Sequence, residues 1–181
     1  MLNNIAAIMG GGAAAVGDYQ SIATTTVGSG GQATISFTSI PSTYSHLQLR
    51  FIAKCTGARD NVYISSISGD TGTNYVGHFL YGDGASASAA SAAANTYVQI
   101  GKAPTTTDVG WGVGIVDILD YTNTNKNKTI RGLTGYDTNS TLGVAQLNST
   151  LWINTGTITS FNLTTNGNFP QYSQFALYGI K

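Results

Sequence analysis

Between His46 and Lys54 apolar and polar side chains take turns. Leu47, Leu49, Phe51 and Ala53 fall on one face of an extended chain, and His46, Gln48, Arg50 and Lys54 on the other, with Ile52 the exception. A period of two marks a half-buried strand of an antiparallel sheet. Residues 32–40, "QATISFTSI", repeat the pattern, with Ala33, Ile35 and Phe37 on one side and Thr34, Ser36 and Thr38 on the other. "YQSIATTTV" before it is a β-rich run, separated by "GSGG", a hairpin-like break. Further strands are expected in "NVYISSI", "YVGHFLYG", "YVQIGKA", "WGVGIVDILDY", "TIRGLTGYD", "LGVAQLNSTLWIN", "ITSFNLTTN" and "QYSQFALYGI".

Between these runs lie clusters of Gly, Asn, Asp, Ser and Thr, and the three prolines fall in expected turns. "DGASASAASAAANT" is small, uncharged and without an apolar period, so it reads as a surface loop. "TNTNKNK" reads as a polar tip. Ten or eleven short strands with such turns predict an all-β, single antiparallel β-sandwich or barrel. Two of the strands, "GVGIVDILDY" and "QFALYGI", are apolar on both faces. An inner strand in the core accounts for one face. A covering subunit would account for the other, so a homo-oligomer is expected. Phe175 and Leu177 are assigned to the core face.

Composition sharpens this picture. Only 9% of the 181 residues are charged, against roughly 25% in ordinary soluble domains. All eight acidic residues are Asp, and the formal net charge is zero. So little charge gives weak colloidal protection and suits a large assembly. No basic stripe exists for phosphates, so nucleic acid is not an expected partner. No apolar run is long enough for a membrane-spanning helix, and no membrane partner is expected. Cys55 is alone, so no internal disulfide can form. Residues 1–17, "MLNNIAAIMGGGAAAVG", carry no charge and lack the basic start of a signal peptide. Leu2, Ile5, Ile8 and Met9 have spacings that one helical turn could align, and the glycines at 10–12 would end it. This segment is read as a short apolar N-terminal anchoring arm, with the sandwich over 18–181.

The blocks "SIATTTVGSGG…ISFTSIPSTYSHLQLR", "GDTGTNYVGHFLYGDG", "VDILDYTNTNKNKTIRGLTGYD", "LWINTGTITSFNL" and "FPQYSQFALYGIK" occur in this order. Over residues 18–181 the chain resembles a family of bacteriophage virion proteins, described as tail-fibre or other appendage proteins. "SIPSTYSHLQLR" and "FALYGIK" carry the resemblance most specifically. The resemblance implies a jelly-roll-like sandwich, a homotrimer and a place in the virion. The arm is read as the contact to other virion proteins, and a host surface glycan is a partner that the resemblance would allow.

Candidate chemistry is sparse. Asp117 and Asp120 are the tempting carboxylate pair, but three residues apart on a strand they point to opposite faces. Asp117 is expected to serve Arg131 or backbone groups nearby, and Asp120 to start the turn. His46 and His78 lie far apart and, with one Cys, make no zinc pattern. No serine stands in a G-x-S-x-G setting, so no catalytic residue, metal or cofactor is assigned. Asp70 and Asp83 sit on loops where calcium could bind, although Asp and Gly are also ordinary turn residues. Trp111 and Trp152 are expected in the core or at a subunit interface. Tyr81, Tyr121 and Tyr136, at strand ends beside polar loops, are the candidate receptor contacts for sugar rings.

Overall fold

The computed structural model describes residues 17–57, 61–139 and 142–181. Leu2, Ile5, Ile8 and Met9 of the expected arm lie outside the described residues. The strands are β1 (Tyr19–Thr26), β2 (Gln32–Phe37), β3 (His46–Ala53), β4 (Asn61–Ser65), β5 (Tyr75–Gly82) and β6 (Ala87–Asn95), followed by β7 (Tyr97–Lys102), β8 (Gly112–Ile118), β9 (Lys128–Asp137), β10 (Gly143–Trp152), β11 (Phe161–Phe169) and β12 (Gln174–Ile180). A 3-10 turn, Ile67–Gly69, follows β4. The strands form an eight-stranded sheet in the order β1-β12-β3-β8-β9-β10-β5-β6 and a four-stranded sheet in the order β2-β11-β4-β7. Every strand ladder is antiparallel. The protein is an antiparallel β-sandwich.

The alternation of β3 places Leu47, Leu49, Phe51 and Ala53 in the core, as the sequence predicts. Strand β12 lies between β1 and β3 and is an inner strand. Its Phe175 and Leu177 have no solvent exposure, and they pair in register with Phe51 and Leu49. Phe175 also meets Phe169 edge-on, with ring centroids 4.7 Å apart. Strand β8 sits between β3 and β9, near the middle of the large sheet. Val116 and Ile118 point into the core from it, whereas Val113 and Ile115 face outward and are exposed.

Two expectations are corrected. Strands β1 and β2 are not a hairpin: β1 pairs with β12 in the large sheet and β2 with β11 in the small one. Gly30 and Gly31, both at positive φ, let the chain turn sharply between the sheets. Val27 meanwhile stays pinned to the segment before β12, donating its N–H to Ser173 O at 2.8 Å. The Ala/Ser-rich stretch is not a loop throughout, because residues 87–95 form β6, the edge strand beside β5. Its turn is fixed by Asp83, whose carboxylate accepts the N–H groups of Ala85 and Ser86 at 2.9 and 2.7 Å. An edge strand of small residues buries little, so it leaves no apolar period to read.

Strand β10 inverts the usual pattern. Its inward residues are Gln146, Asn148, Thr150 and Trp152, all buried, while Ala145, Leu147 and Ser149 face out. The buried amides form a closed network with β7. Gln99 Nε2 donates to Gln146 Oε1 at 3.2 Å, Gln146 Nε2 to Asn148 Oδ1 at 3.0 Å, and Asn148 Nδ2 to the Gln99 carbonyl at 3.0 Å. Among the described residues no buried side-chain N or O lacks a partner. The two sheets approach closely here, and a Cβ on Gly132 would collide with the Ile100 carbonyl.

Two substitutions test this core. Leu177→Ala should lower unfolding free energy by about 2–5 kcal/mol, as a cavity-forming truncation does. Asn148→Leu, although hydrophobic, should cost about 1–3 kcal/mol, because it strands the Gln146 amide and leaves the Gln99 carbonyl only the long 3.4 Å bond from Thr150 Oγ1. Urea unfolding followed by tryptophan fluorescence measures both. A neutral Asn148→Leu would mean that the network does not fix the face of β10.

Candidate functional site

Residues paired directly across an antiparallel ladder share one face. The registers of the large sheet therefore resolve its outer face into rows. One row is polar: Gln48, Asp117, Arg131, Ser149, His78 and Ser91, on β3, β8, β9, β10, β5 and β6. The next, two residues along each strand, is Arg50, Ile115, Leu133, Leu147, Leu80 and Ala89. The third is Ile52, Val113, Gly135, Ala145, Gly82 and Ala87.

The middle row is a ridge of aliphatic side chains. Ile115, Leu133, Leu147 and Leu80, with Ile52 and Val113 beside them, are 40–62% exposed. Two shallow apolar depressions flank the ridge. One, of ≈ 400 Å³, lies between Leu147, Leu80 and Ala89, and the other, of ≈ 490 Å³, between Val113, Ile115 and Leu133. Scattered exposed leucines are ordinary, but a contiguous apolar band is the mark of an interaction surface.

The polar row is neutralised internally. Arg131 Nη2 donates to Asp117 Oδ2 at 2.9 Å, and Gln48 Nε2 donates to Asp117 Oδ1 at 2.8 Å. Gln48 Oε1 accepts from Arg50 Nε and from the Tyr19 hydroxyl, at 2.9 and 2.7 Å. The Arg50 guanidinium lies over the stacked rings of Tyr19 and Tyr178, 5.2 and 5.5 Å from their centroids. Burial holds the Tyr19 phenol above its ordinary pKa, and the Arg50 charge opposes the rise.

The carboxylates singled out in the sequence are not brought together as a pair. Asp117 stands on β8 in contact with Arg131, as expected. Asp120 lies beyond the end of β8, at positive φ, where its carbonyl accepts the Asn123 N–H at 3.0 Å and its carboxylate pairs with Lys126. The Lys126 contact is the main reason its carboxyl lies below the usual range. His46 accepts the Asp120 N–H at Nδ1, 3.0 Å away, while His78 stands in the polar row on β5. Among the described residues no three His, Cys, Asp or Glu side chains gather as metal ligands do.

The three candidate tyrosines separate. Tyr121 has no solvent exposure and its hydroxyl donates to the Pro41 carbonyl, so this receptor-contact expectation is corrected. It lies in the turn after β8, and its ring packs into the core. Tyr81 and Tyr136 are half-buried. Lys102 Nζ lies 5.6 Å from the centroid of the Tyr81 ring. Tyr136 lines a cleft of ≈ 410 Å³ with Asp83, Asp137, Leu142 and Val144.

Loop residues that looked functional are structural anchors. Asp70 accepts from Trp152 Nε1 at 2.8 Å, from Gly72 N–H at 2.8 Å and from Asn74 Nδ2 at 3.0 Å. Trp152 is thereby in the core with its N–H partnered, and Trp111 is half-buried with Lys54 Nζ 5.2 Å from its centroid. Lys128, expected at a polar tip, is fully buried. Its ammonium donates to the carbonyls of Asn123, Lys126 and Thr155, and burial pushes its pKa down. A lysine in a polar run gives no local sign of such burial. No protein family, curated relative or solved structure matches this chain.

Asp70 makes stability depend on pH. Its hydrogen bonds, Trp152's first, hold the folded-state pKa below the ordinary value of 3.8. Its stabilisation is therefore complete above the unfolded-state value and is lost as pH falls through the folded-state one. Asp70→Asn should be less stable than wild type at neutral pH, and the gap should narrow below about pH 4. Urea midpoints across pH measure the gap; one that stays constant into acid would remove Asp70 from this role.

Proposed function

We propose that this chain is a non-enzymatic structural protein of a bacteriophage virion, working as a homo-oligomer. A tail-fibre or fibre-like appendage, or a capsid decoration protein, is the role that fits. The observation that carries the proposal is the band of exposed aliphatic side chains, Ile115, Leu133, Leu147 and Leu80, lined up across four strands of the large sheet. Those side chains are dispensable for the core of one chain and useful to an assembly. The low charge and the resemblance over residues 18–181 support the same reading. The homotrimer, the jelly-roll-like detail and the virion location come from that resemblance. Residues 1–17 are proposed as the anchor to other virion proteins.

A second reading, recognition of a host surface glycan, is favoured by the cleft beside Tyr136. Its aromatic ring and the carboxylates of Asp83 and Asp137 are the groups that hold sugar rings and hydroxyls.

An antibody against the chain should label purified particles of the phage that encodes it. Deleting residues 1–17 should leave a folded sandwich that no longer enters particles. Particles that lack the chain would overturn the virion reading, and normal incorporation of the deletion variant would overturn the anchor. Glycan-array binding that disappears in Tyr136→Ala would favour the second reading.

A further inference from the structure

We propose that the outer face of the large sheet docks on the same face of a second copy of this chain, as a two-fold contact in which the leucine ridge of each copy fills the glycine and alanine trough of the other. The inference rests on the homo-oligomer reading above and names a surface that serves it by pairing chains, so that a homotrimer using it becomes a six-chain species.

The face carries its own complement. On β9, β10 and β5 the ridge residues are Leu133, Leu147 and Leu80. Two residues along the same strands, the trough residues are Gly135, Ala145 and Gly82. A two-fold axis running across the strands, midway between these rows, exchanges ridge and trough. Leu133 then faces Gly135, Leu147 faces Ala145, and Leu80 faces Gly82. On β8, Ile115 faces Val113. An isologous contact demands this self-complementarity, in which the same patch serves both sides. Ridge and trough follow separately from the registers and from the residue types, and their spacing by one strand repeat is what makes the exchange possible.

Other features of the face agree. Each strand from β8 to β5 is hydrogen-bonded on both sides, so no free edge is available there for an added peptide strand. The occupant must therefore offer side chains, as a second sheet does. Asp117 and Arg131 already neutralise each other, and the Arg50 cation at the β3 end of the ridge is held back against Gln48 and the rings of Tyr19 and Tyr178. With the axis between them, ridge and trough are the two rows that face each other, and six strands about 4.8 Å apart and two rows about 6.8 Å apart span roughly 400 Å² in projection. A pair of copies would thus bury roughly 800 Å², below the standard size and in the range of weak, reversible contacts. Sheet twist makes the fit closest at the centre, on Leu133 and Leu147, and looser toward Ile115 and Ala89.

The test is the mass of the full chain in solution, by sedimentation at micromolar concentration. Wild type should form species with an even number of chains. Leu133→Glu with Leu147→Glu should weaken association about a hundredfold or more, by burying like charges, with an unchanged circular dichroism spectrum. Ala145→Leu adds apolar surface yet fills the trough, and should weaken association about tenfold. That last result separates ridge-in-trough packing from general stickiness, which the added leucine would strengthen. Monomeric wild type, or a double variant with wild-type mass, would overturn the proposal. So would tighter association of Ala145→Leu, or a three-chain species that the double variant takes to monomers. None of these outcomes decides whether the chain belongs to a virion, which particle labelling tests separately.

Discussion

The amide network between β7 and β10 decides which way the large sheet faces. Gln99, Gln146 and Asn148 close on one another beneath the small sheet. In a low-dielectric interior an amide without a partner costs far more than a satisfied one contributes. The network is therefore viable only when all its members point inward together. Side chains alternate with a period of two, so an inward Gln146 and Asn148 require an outward Leu147. Leu133 on β9 follows through its register with Leu147, and Leu80 on β5 through the same pairing. A polar constraint inside the sandwich thus sets an apolar band outside it.

The rest of the face is arranged around that band. The small sheet has half as many strands as the large one and covers only part of its inner side. Large hydrophobic side chains fill the core between the sheets, Leu49, Phe51, Phe175 and Leu177 among them. Under β7 the sheets approach too closely for bulk, and glycines and amides take over. Ile130 of β9 still reaches the core, whereas Leu133 and Leu147 occupy the outer side. A polar row beside them, held by the Asp117–Arg131 pair, limits the band on one flank.

The groups that usually announce chemistry serve the loops instead. Asp70 ties the loop before β5 to the Trp152 indole, Asp83 closes the β5–β6 turn, and Lys128 gathers three carbonyls from the turn before β9 and the segment after β10. Each is an ionised group satisfied by several hydrogen bonds, the condition under which a charge can sit against a core. These ties let the connecting loops hold their shape in a chain whose one cysteine, Cys55, can form no internal disulfide.

Local pattern alone was enough for much of the fold. The alternation in β3, the two-faced apolar character of β8 and β12 and the turn residues between runs identified an antiparallel sandwich, with Phe175 and Leu177 inside. These signals are legible because burial of a strand face leaves a period of two in the residues themselves. The Ala/Ser-rich β6 left no such trace, since an edge strand gains its order from the ladder with β5 and not from burial. The departure of β2 into the other sheet depended on long-range pairing with β11. Tyr121 looked like an exposed tip residue because its partner, Pro41, lies far away in the chain, and Lys128 because the carbonyls that receive its ammonium converge only in the folded turn, with Thr155 added from beyond β10. The ridge and trough were equally hidden. Each strand contributes one leucine and one small residue, and only hydrogen-bonded register lines them up across the sheet.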